Sequence, residues 1–358
     1  MPSLKEIKGR INSISSTLAI TSAMKMVAAA KLQKAQMAIQ NMLPYERRLH
    51  SMLIDLMGAM NISAAASEDG SVRGSGSAER GFDQSGDRLS LSNRHDLAGM
   101  DGAYSLMAQR EVRKVAIVAF ASNSSLCGAF NSNAIREATA VINEYRASGL
   151  GDADITVYSV GRKMAEAMKK LGFPSPADFT KMSDSPSYEA ASALAQELFD
   201  GFVSGRFDKV ELVYNHYKST SSQPTTRQTY LPLSLADATA DLQAGKITDS
   251  ASETDTNKVA EPVGAPVVRQ GSPTTEDLIV EPSKEALIAT LLPKVIRLRI
   301  FTTLLDSVAA EHAARTVAMQ LATDNGNDLL QELTLEYNKG RQQKITSEIL
   351  DLVGGSMQ

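Results

Sequence analysis

The chain has 358 residues, 43% of them hydrophobic and 22% charged, with a formal net charge of −4, one cysteine, four histidines and no tryptophan. The lone Cys127 excludes a disulfide within the chain and a cysteine-based zinc site. No run approaches the roughly eighteen apolar residues of a membrane-spanning helix, and the opening MPSLKEIKGR lacks the apolar core of a signal peptide. An intracellular protein of about two domains is expected.

Residues 1–60 carry the strongest pattern. Alternating steps of three and four from Leu4 pass through Ile7, Ile11, Ile14, Leu18, Thr21, Lys25, Ala28, Leu32, Ala35, Ile39, Met42, Glu46, Leu49, Leu53, Leu56 and Met60. Fourteen of these seventeen positions are apolar, a heptad seam held far past the three or four repeats that argue a coiled coil. Ser3, with Glu6 three residues on, reads as the N-cap. Pro44 predicts a kink rather than an end, because the seam continues beyond it. Such a helix spans roughly 85 Å at about 1.5 Å per residue, so it needs a partner helix with a matching seam. Residues 1–50 hold eight Lys or Arg against Glu6 and Glu46. That balance fits either a solvated helix face or a basic shaft lying against acidic partner loops. Without interleaved aromatics it does not argue for nucleic acid.

Residues 61–103 lose periodicity and are rich in Ser, Gly, Asp and Arg, as a flexible insertion is. Over 104–234 the pattern becomes that of a Rossmann-like α/β domain. KVAIVAFAS is a continuous apolar run typical of a strand covered on both faces. It is followed by a helix over 129–147, a strand over 154–161, helices over 161–172 and 186–204, and strands over 209–219 and 227–233. Alternating strands and helices predict an open, mostly parallel sheet with helices on both faces. Residues 235–282 form a second, acidic insertion. From 283 to 358 a helical seam returns through Leu298, Phe301, Leu305, Val308, His312, Arg315, Met319, Ala322, Gly326, Leu329 and Leu333. Pro293 predicts a kink in its entry turn, and Asp324-Asn325-Gly326 a weak point in mid-helix. The expected architecture is an α/β domain inserted between two long terminal helices that pair as an antiparallel coiled coil.

Chemistry-bearing motifs are not apparent. The chain has no Walker A sequence and no G-x-G-x-x-G after a strand. His50, His95, His216 and His312 show no ligand spacing, and Cys127 reads as a small buried hydrophobe rather than a nucleophile. No cofactor, metal or catalytic residue is expected. On the residues alone, a scaffold with a globular head and an enzyme with a helical dimerisation arm both remain open.

Three blocks of sequence resemble one family. The first is Ile7-Lys8-Gly9-Arg10-Ile11 with ITSAMKMVAAAKLQKAQ (20–36) and Pro44-Tyr45. The second is LCGAFN (126–131). The third joins EHAARTVAMQLATDNG (311–326) to LTLEYNKGRQQKITSEILDLVGG (333–355). Together they are similar to the gamma subunit of the F-type ATP synthase, and the likeness covers both helices and the α/β domain. It departs from the family at Asn123-Ser124, where a charged pair is usual, and at Gly354-Gly355, where Gly-Ala is usual. The second insertion lies where chloroplast members carry a two-cysteine regulatory loop; without cysteines here, a thiol switch of that kind is excluded.

The resemblance implies a non-catalytic central shaft that couples proton or sodium flow to ATP synthesis and hydrolysis. Its implied partners are the alpha and beta subunits around the coiled coil, the epsilon subunit, and a membrane ring of c subunits, with no nucleic acid. It implies a peripheral position on the cytoplasmic face of the bacterial inner membrane. Matching positions in the family meet a beta-subunit loop or one another, which nominates Met24, Lys25, Arg315, Arg341, Gln342, Thr346 and Glu348 as rotor–stator contacts.

Overall fold

The computed structural model describes residues 3–68, 110–233 and 284–356. Helix α1 runs Leu4–Glu68 and helix α6 runs Lys284–Ser356, about 100 Å and 110 Å of helix. Between them lie β1 (Val115–Phe120), α2 (Phe130–Ala147), β2 (Ile155–Val160), α3 (Arg162–Lys170), α4 (Thr180–Asp184), α5 (Tyr188–Val203), β3 (Lys209–Asn215) and β4 (Thr225–Leu231). Helix α1 continues through Glu68, past the expected boundary at Met60. The rest of the first insertion and all of the second lie outside the described residues.

The cap on α1 is half of the predicted capping box. The Glu6 amide donates to Ser3 Oγ at 3.3 Å, but the Glu6 carboxylate turns away to accept from Arg10 at 2.8 Å. Pro44 and Pro293 both lie inside continuous helix.

The two long helices pair antiparallel. Leu4 packs at Gly340, and Leu18 packs at Gly326. Thr21 Oγ1 lies 3.0 Å from Thr323 Oγ1, and Thr302 donates to Glu46 at 3.0 Å. On α1 every seam position from Leu4 to Leu53 is buried or half-buried.

On α6 above Met319 the expected seam holds at Gly326 and Leu333 and fails at Ala322 and Leu329. Ala322 and Leu329 face solvent, while Thr323 and Leu330 turn toward α1. The seam there runs Met319, Thr323, Gly326, Leu330, Leu333, Tyr337 and Gly340, with the four-residue step before the three-residue one. Below Met319 the helix is covered on several sides, so two phases fit it equally well. Gly326 is a packing feature rather than a weak point: a Cβ there would stand 2.6 Å from Leu18 Cδ2.

The sheet order is β2-β1-β3-β4, parallel except for the antiparallel β4. β1 is buried along its whole length, as its unbroken apolar sequence requires. Alternate residues feed two cores. One face, through Ile117, Ala119 and Val157, packs on Ala138 and Ile142 of α2 and Met164 and Met168 of α3. The other, through Val118, Phe120, Tyr158 and Leu212, packs on α5, on Leu292–Ala313 of α6, and on Leu32 and Ala35 of α1. The shaft therefore forms part of the domain's own core at one end and stands clear of it at the other.

Candidate functional site

The seven nominated residues fall at three heights along the shaft. Arg341, Gln342, Thr346 and Glu348 lie past the level of Leu4, where α6 has no α1 beside it. Every residue from Arg341 to Val353 is exposed. Thr346 Oγ1 donates to the Gln342 carbonyl at 2.9 Å, and Glu348 sits 3.7 Å from Lys344. Gln342 and Thr346 flank a shallow groove with Lys339, Gln343, Ser347 and Leu350. Ile349, Leu350 and Leu352 stand 55%, 64% and 75% exposed beside these polar groups. The helix-favouring Lys, Arg, Gln and Glu of KGRQQKITSEI are offset by Gly340, Thr346 and Ser347, and the segment prolongs a helix already nucleated below it.

Met24 and Lys25 lie in mid-shaft, both half-buried. Lys25 Nζ donates to Gln320 Oε1 across the seam, and Gln320 Nε2 donates in turn to the Asp324 carboxylate at 2.8 and 2.9 Å. With Thr21 and Thr323 one turn away, this makes a polar layer between two apolar stretches. A polar residue at a seam position fixes register at some expense of stability.

Arg315 is placed differently. It is 8% exposed at the junction of shaft and domain. Its Nη1 donates to Glu311 Oε1 at 2.6 Å, and its Nη2 donates to Ser124 Oγ at 2.7 Å. Burial raises the Glu311 pKa, with Arg315 pulling the other way. Burial, then Arg315 and Lys31, drive the His312 pKa down to about 4. The neutral ring can therefore accept at Nδ1, 3.4 Å from Arg315. The guanidinium is engaged within the chain, so Arg315 joins the helix to the sheet domain rather than facing outward.

Asn123 and Ser124 explain how the loop after β1 holds its shape without the family's charged pair. Asn123 accepts from the Arg162 amide at 2.8 Å and donates to the Thr180 carbonyl at 2.7 Å, while Ser124 receives Arg315. Leu126 and Gly128 take positive φ of 68° and 59° to turn the chain. Cys127 is buried against Phe130 and Ala310.

Sequence reasoning missed Gln320, Glu311 and Ser124. It also missed the contact of the β3–β4 loop with the shaft, where Asp306 accepts from the Tyr217 amide at 2.9 Å and lies 2.6 Å from His216 Nδ1. That contact holds the His216 pKa above its ordinary value. Glu311 and Gln320 lie within the 311–326 block, but nothing in its sequence names their partners, and Ser124, His216, Tyr217 and Asp306 belong to no quoted block or seam.

Two long helices joined to a sheet domain at one end are shared with solved structures. A chain of the Euglena gracilis mitochondrial ATP synthase OSCP/F1/c-ring assembly superposes with a TM-score of 0.54 at 18% identity, covering 99% of this chain and 93% of that one. A chain from the rotor of the same enzyme gives 0.51 at 17% identity, covering 96% and 98%. The fold is that of an ATP synthase rotor chain. A family model described as ATP synthase matches residues 3–357. The ATP synthase gamma chain of Phocaeicola vulgatus is 47% identical over 357 residues, covering 100% of both chains. The chain belongs to the ATP synthase gamma chain family, the central-stalk subunits of the F-type enzyme.

Proposed function

We propose that this chain turns inside a ring of alpha and beta subunits and delivers to them, as a change in contacts, the work of proton or sodium flow across the membrane. The observation that carries the reading is the two-ended construction. At one end α6 is built into the core of a sheet domain; at the other it stands alone with every residue from Arg341 to Val353 exposed. A single helix presents a different residue in every direction. A surrounding ring of identical sites therefore meets a different face at each position. A rigid asymmetric ligand of this kind shifts each site between conformations according to its differential affinity for them.

The sheet domain is the foot in this reading, resting on the epsilon subunit and on a membrane ring of c subunits. The assembly lies on the cytoplasmic face of the bacterial inner membrane, with this chain peripheral to it. Among the described residues no helix is long and apolar enough to cross a membrane. In this reading the bond-making and bond-breaking steps belong to the other subunits.

The groups nominated as rotor–stator contacts are Arg341, Gln342, Thr346 and Glu348 at the tip, Met24 and Lys25 in mid-shaft, and Arg315 at the junction with the sheet domain. A charge-assisted hydrogen bond from Arg341 to an acidic or hydroxyl group of a beta-subunit loop contributes roughly 1.5–3 kcal/mol where it is desolvated. Made in one rotary state and broken in the next, it is a catch. Replacing Arg341→Ala together with Gln342→Ala is expected to leave assembly intact and to lower ATP turnover and ion pumping several-fold. Steady-state hydrolysis and pumping by reconstituted enzyme measure this, with subunit stoichiometry as the control. Full turnover and full pumping in the double variant would remove these residues from the contact.

A further inference from the structure

We infer that the loop between β3 and β4 is a torsional clamp that fixes the sheet domain to both helices of the shaft, with Tyr217 and Asp306 as its positioning residues. The inference rests on the shaft reading above and concerns how rotation passes through the chain itself. Tyr217 stands where three elements meet. Its amide donates to Asp306 Oδ1 of α6 at 2.9 Å, and its hydroxyl accepts from Gln36 Nε2 of α1 at 2.7 Å. The neighbouring His216 directs Nδ1 at the other oxygen of the same carboxylate, 2.6 Å away. One carboxylate on α6 and one amide on α1 thus grip two consecutive residues of the loop.

The loop is built to bear load. At its base Asn215, 1% exposed, donates to the Phe130 carbonyl at 3.1 Å and accepts from Thr225 Oγ1 at 2.7 Å. That ties the clamp to α2 and β4. The His216 amide donates to the Pro224 carbonyl at 2.9 Å. The turn itself is closed by Gln223 Nε2, which donates to the carbonyls of Ser219 and Thr220 at 3.0 and 2.6 Å. The Tyr217 ring also packs against both the main core and the small cluster of Cys127, Phe130 and Ala310.

Other hydrogen bonds of the junction, from Arg315 to Ser124, Tyr230 to Ile296 and Arg297 to Gln196, tie the sheet domain to α6; the β3–β4 loop reaches α6 and α1 together. Apolar burial is non-directional, so packed faces resist sliding about an axis only through the interdigitation of their side chains. Hydrogen bonds weaken steeply when bent, so they resist that sliding. Torque entering through the sheet domain has to reach both helices together, or α1 and α6 shear past one another and part of the rotation is lost as twist.

The test uses the complete enzyme reconstituted in vesicles, with ATP hydrolysis and ATP-driven ion pumping measured on the same preparation. Tyr217→Phe removes one hydroxyl and keeps the ring. It is expected to preserve assembly and hydrolysis but to lower ions pumped per ATP about two-fold, a modest effect in keeping with one neutral hydrogen bond. Gln36→Leu is expected to match it, and the pair together to do no more than either alone, because both delete one bond. Asp306→Ala is expected to lower the ratio further. A merely structural role predicts less assembled enzyme with an unchanged ratio of pumping to hydrolysis, and that result would overturn the clamp. If enzyme assembled without this chain pumps as well as the complete one, the shaft reading falls instead.

Discussion

Between Leu292 and Met319, helix α6 buries residues on several sides at once: Val295, Ile296, Leu298, Ile300, Leu304, Leu305, Val308, Ala309, Ala310 and Ala313 are all at or below 7% exposure. Between Gln320 and Val353 the same helix has no fully buried residue. The lower half is sheet-domain core that happens to be helical; the middle is one side of a two-helix seam; the tip is helix alone. No break in the backbone separates them. Neighbour chemistry, not secondary structure, decides what each length of the helix can do. Where it is embedded it can receive force, and where it is bare it can offer contacts.

The sharpest way to break that contrast is to remove the same side chain in both halves. Leu304, 1% exposed, belongs to the main core to which the sheet and α1 also contribute. Leu304→Ala is expected to destabilise the purified subunit by about 2–5 kcal/mol, through lost transfer energy and the cavity left behind. Leu335 is 71% exposed, and Leu335→Ala is expected to fall within about 0.5 kcal/mol of the parent. Urea unfolding of the two variants measures the difference, and equal midpoints would erase the distinction between the halves.

How much of this was legible in the sequence follows the same division. Every α1 seam position from Leu4 to Leu53 could be read from spacing alone, because one narrow partner covers that helix and periodicity reports a single buried face. The strands were legible too, since VAIVAF buried on both faces leaves an unbroken apolar run. The phase of upper α6 was legible only at Gly326 and Leu333. Thr323 and Gly326 occupy inward positions while Leu329 points out, and apolarity there misreports direction. Helix α4, five residues long, is too short to show a period. Arg315 carried no sign that its partner would be Ser124, 191 residues away. Tyr217 and Asp306 are likewise 89 residues apart. Pairings of that kind have no repeat for a sequence pattern to reveal.

The embedding domain carries a pH dependence of its own. Glu211 on β3, with its side chain 2% exposed, accepts from Arg227 at 2.7 and 3.1 Å and from Tyr145 at 2.6 Å, and pairs with Lys209 at 2.7 Å. Burial alone would raise its pKa, but these partners outweigh burial and hold it below the ordinary carboxylate range. A depressed folded-state pKa contributes stability that is present above the unfolded value and lost as pH falls through the folded one. Glu211→Gln is expected to lower stability at neutral pH by on the order of 2 kcal/mol. It is also expected to flatten the acid limb of the stability curve, followed by denaturant unfolding from neutral to acidic pH. An unchanged acid limb would show that the network does not set it.

In the middle section the contrast sharpens at Gly326, where a side chain has to compete with Leu18. Gly326→Ala gains about 1 kcal/mol of helix propensity against a shift of Leu18 Cδ2, which lies at the flexible end of its side chain. The two effects nearly cancel. Gly326→Val adds two further methyl groups that have to go where Leu18 packs, and about 1–2 kcal/mol of destabilisation is expected from overpacking. Melting of the two variants side by side separates propensity from packing. A Val variant as stable as the Ala variant would mean that the helices stand further apart here than Leu18 implies.

At the tip the expected effect on the free subunit is the smallest, and that is its use. Leu350 and Leu352 make no buried contact, so Leu350→Ser with Leu352→Ser removes no packing and leaves no cavity. The backbone hydrogen bonds of α6 below them are untouched, and serine costs only a few tenths of a kcal/mol in helix propensity at each position. The melting profile of the isolated chain is therefore expected to stay within experimental error of the parent. Exposed apolar groups clustered at one end of a molecule still mark a surface that partners cover. Binding of a hydrophobic dye to the free subunit should fall, and the yield of complete enzyme should drop while the subunit itself stays folded. A lowered melting point in the free chain would show instead that the tip folds back on the shaft and that α6 does not end as a bare helix.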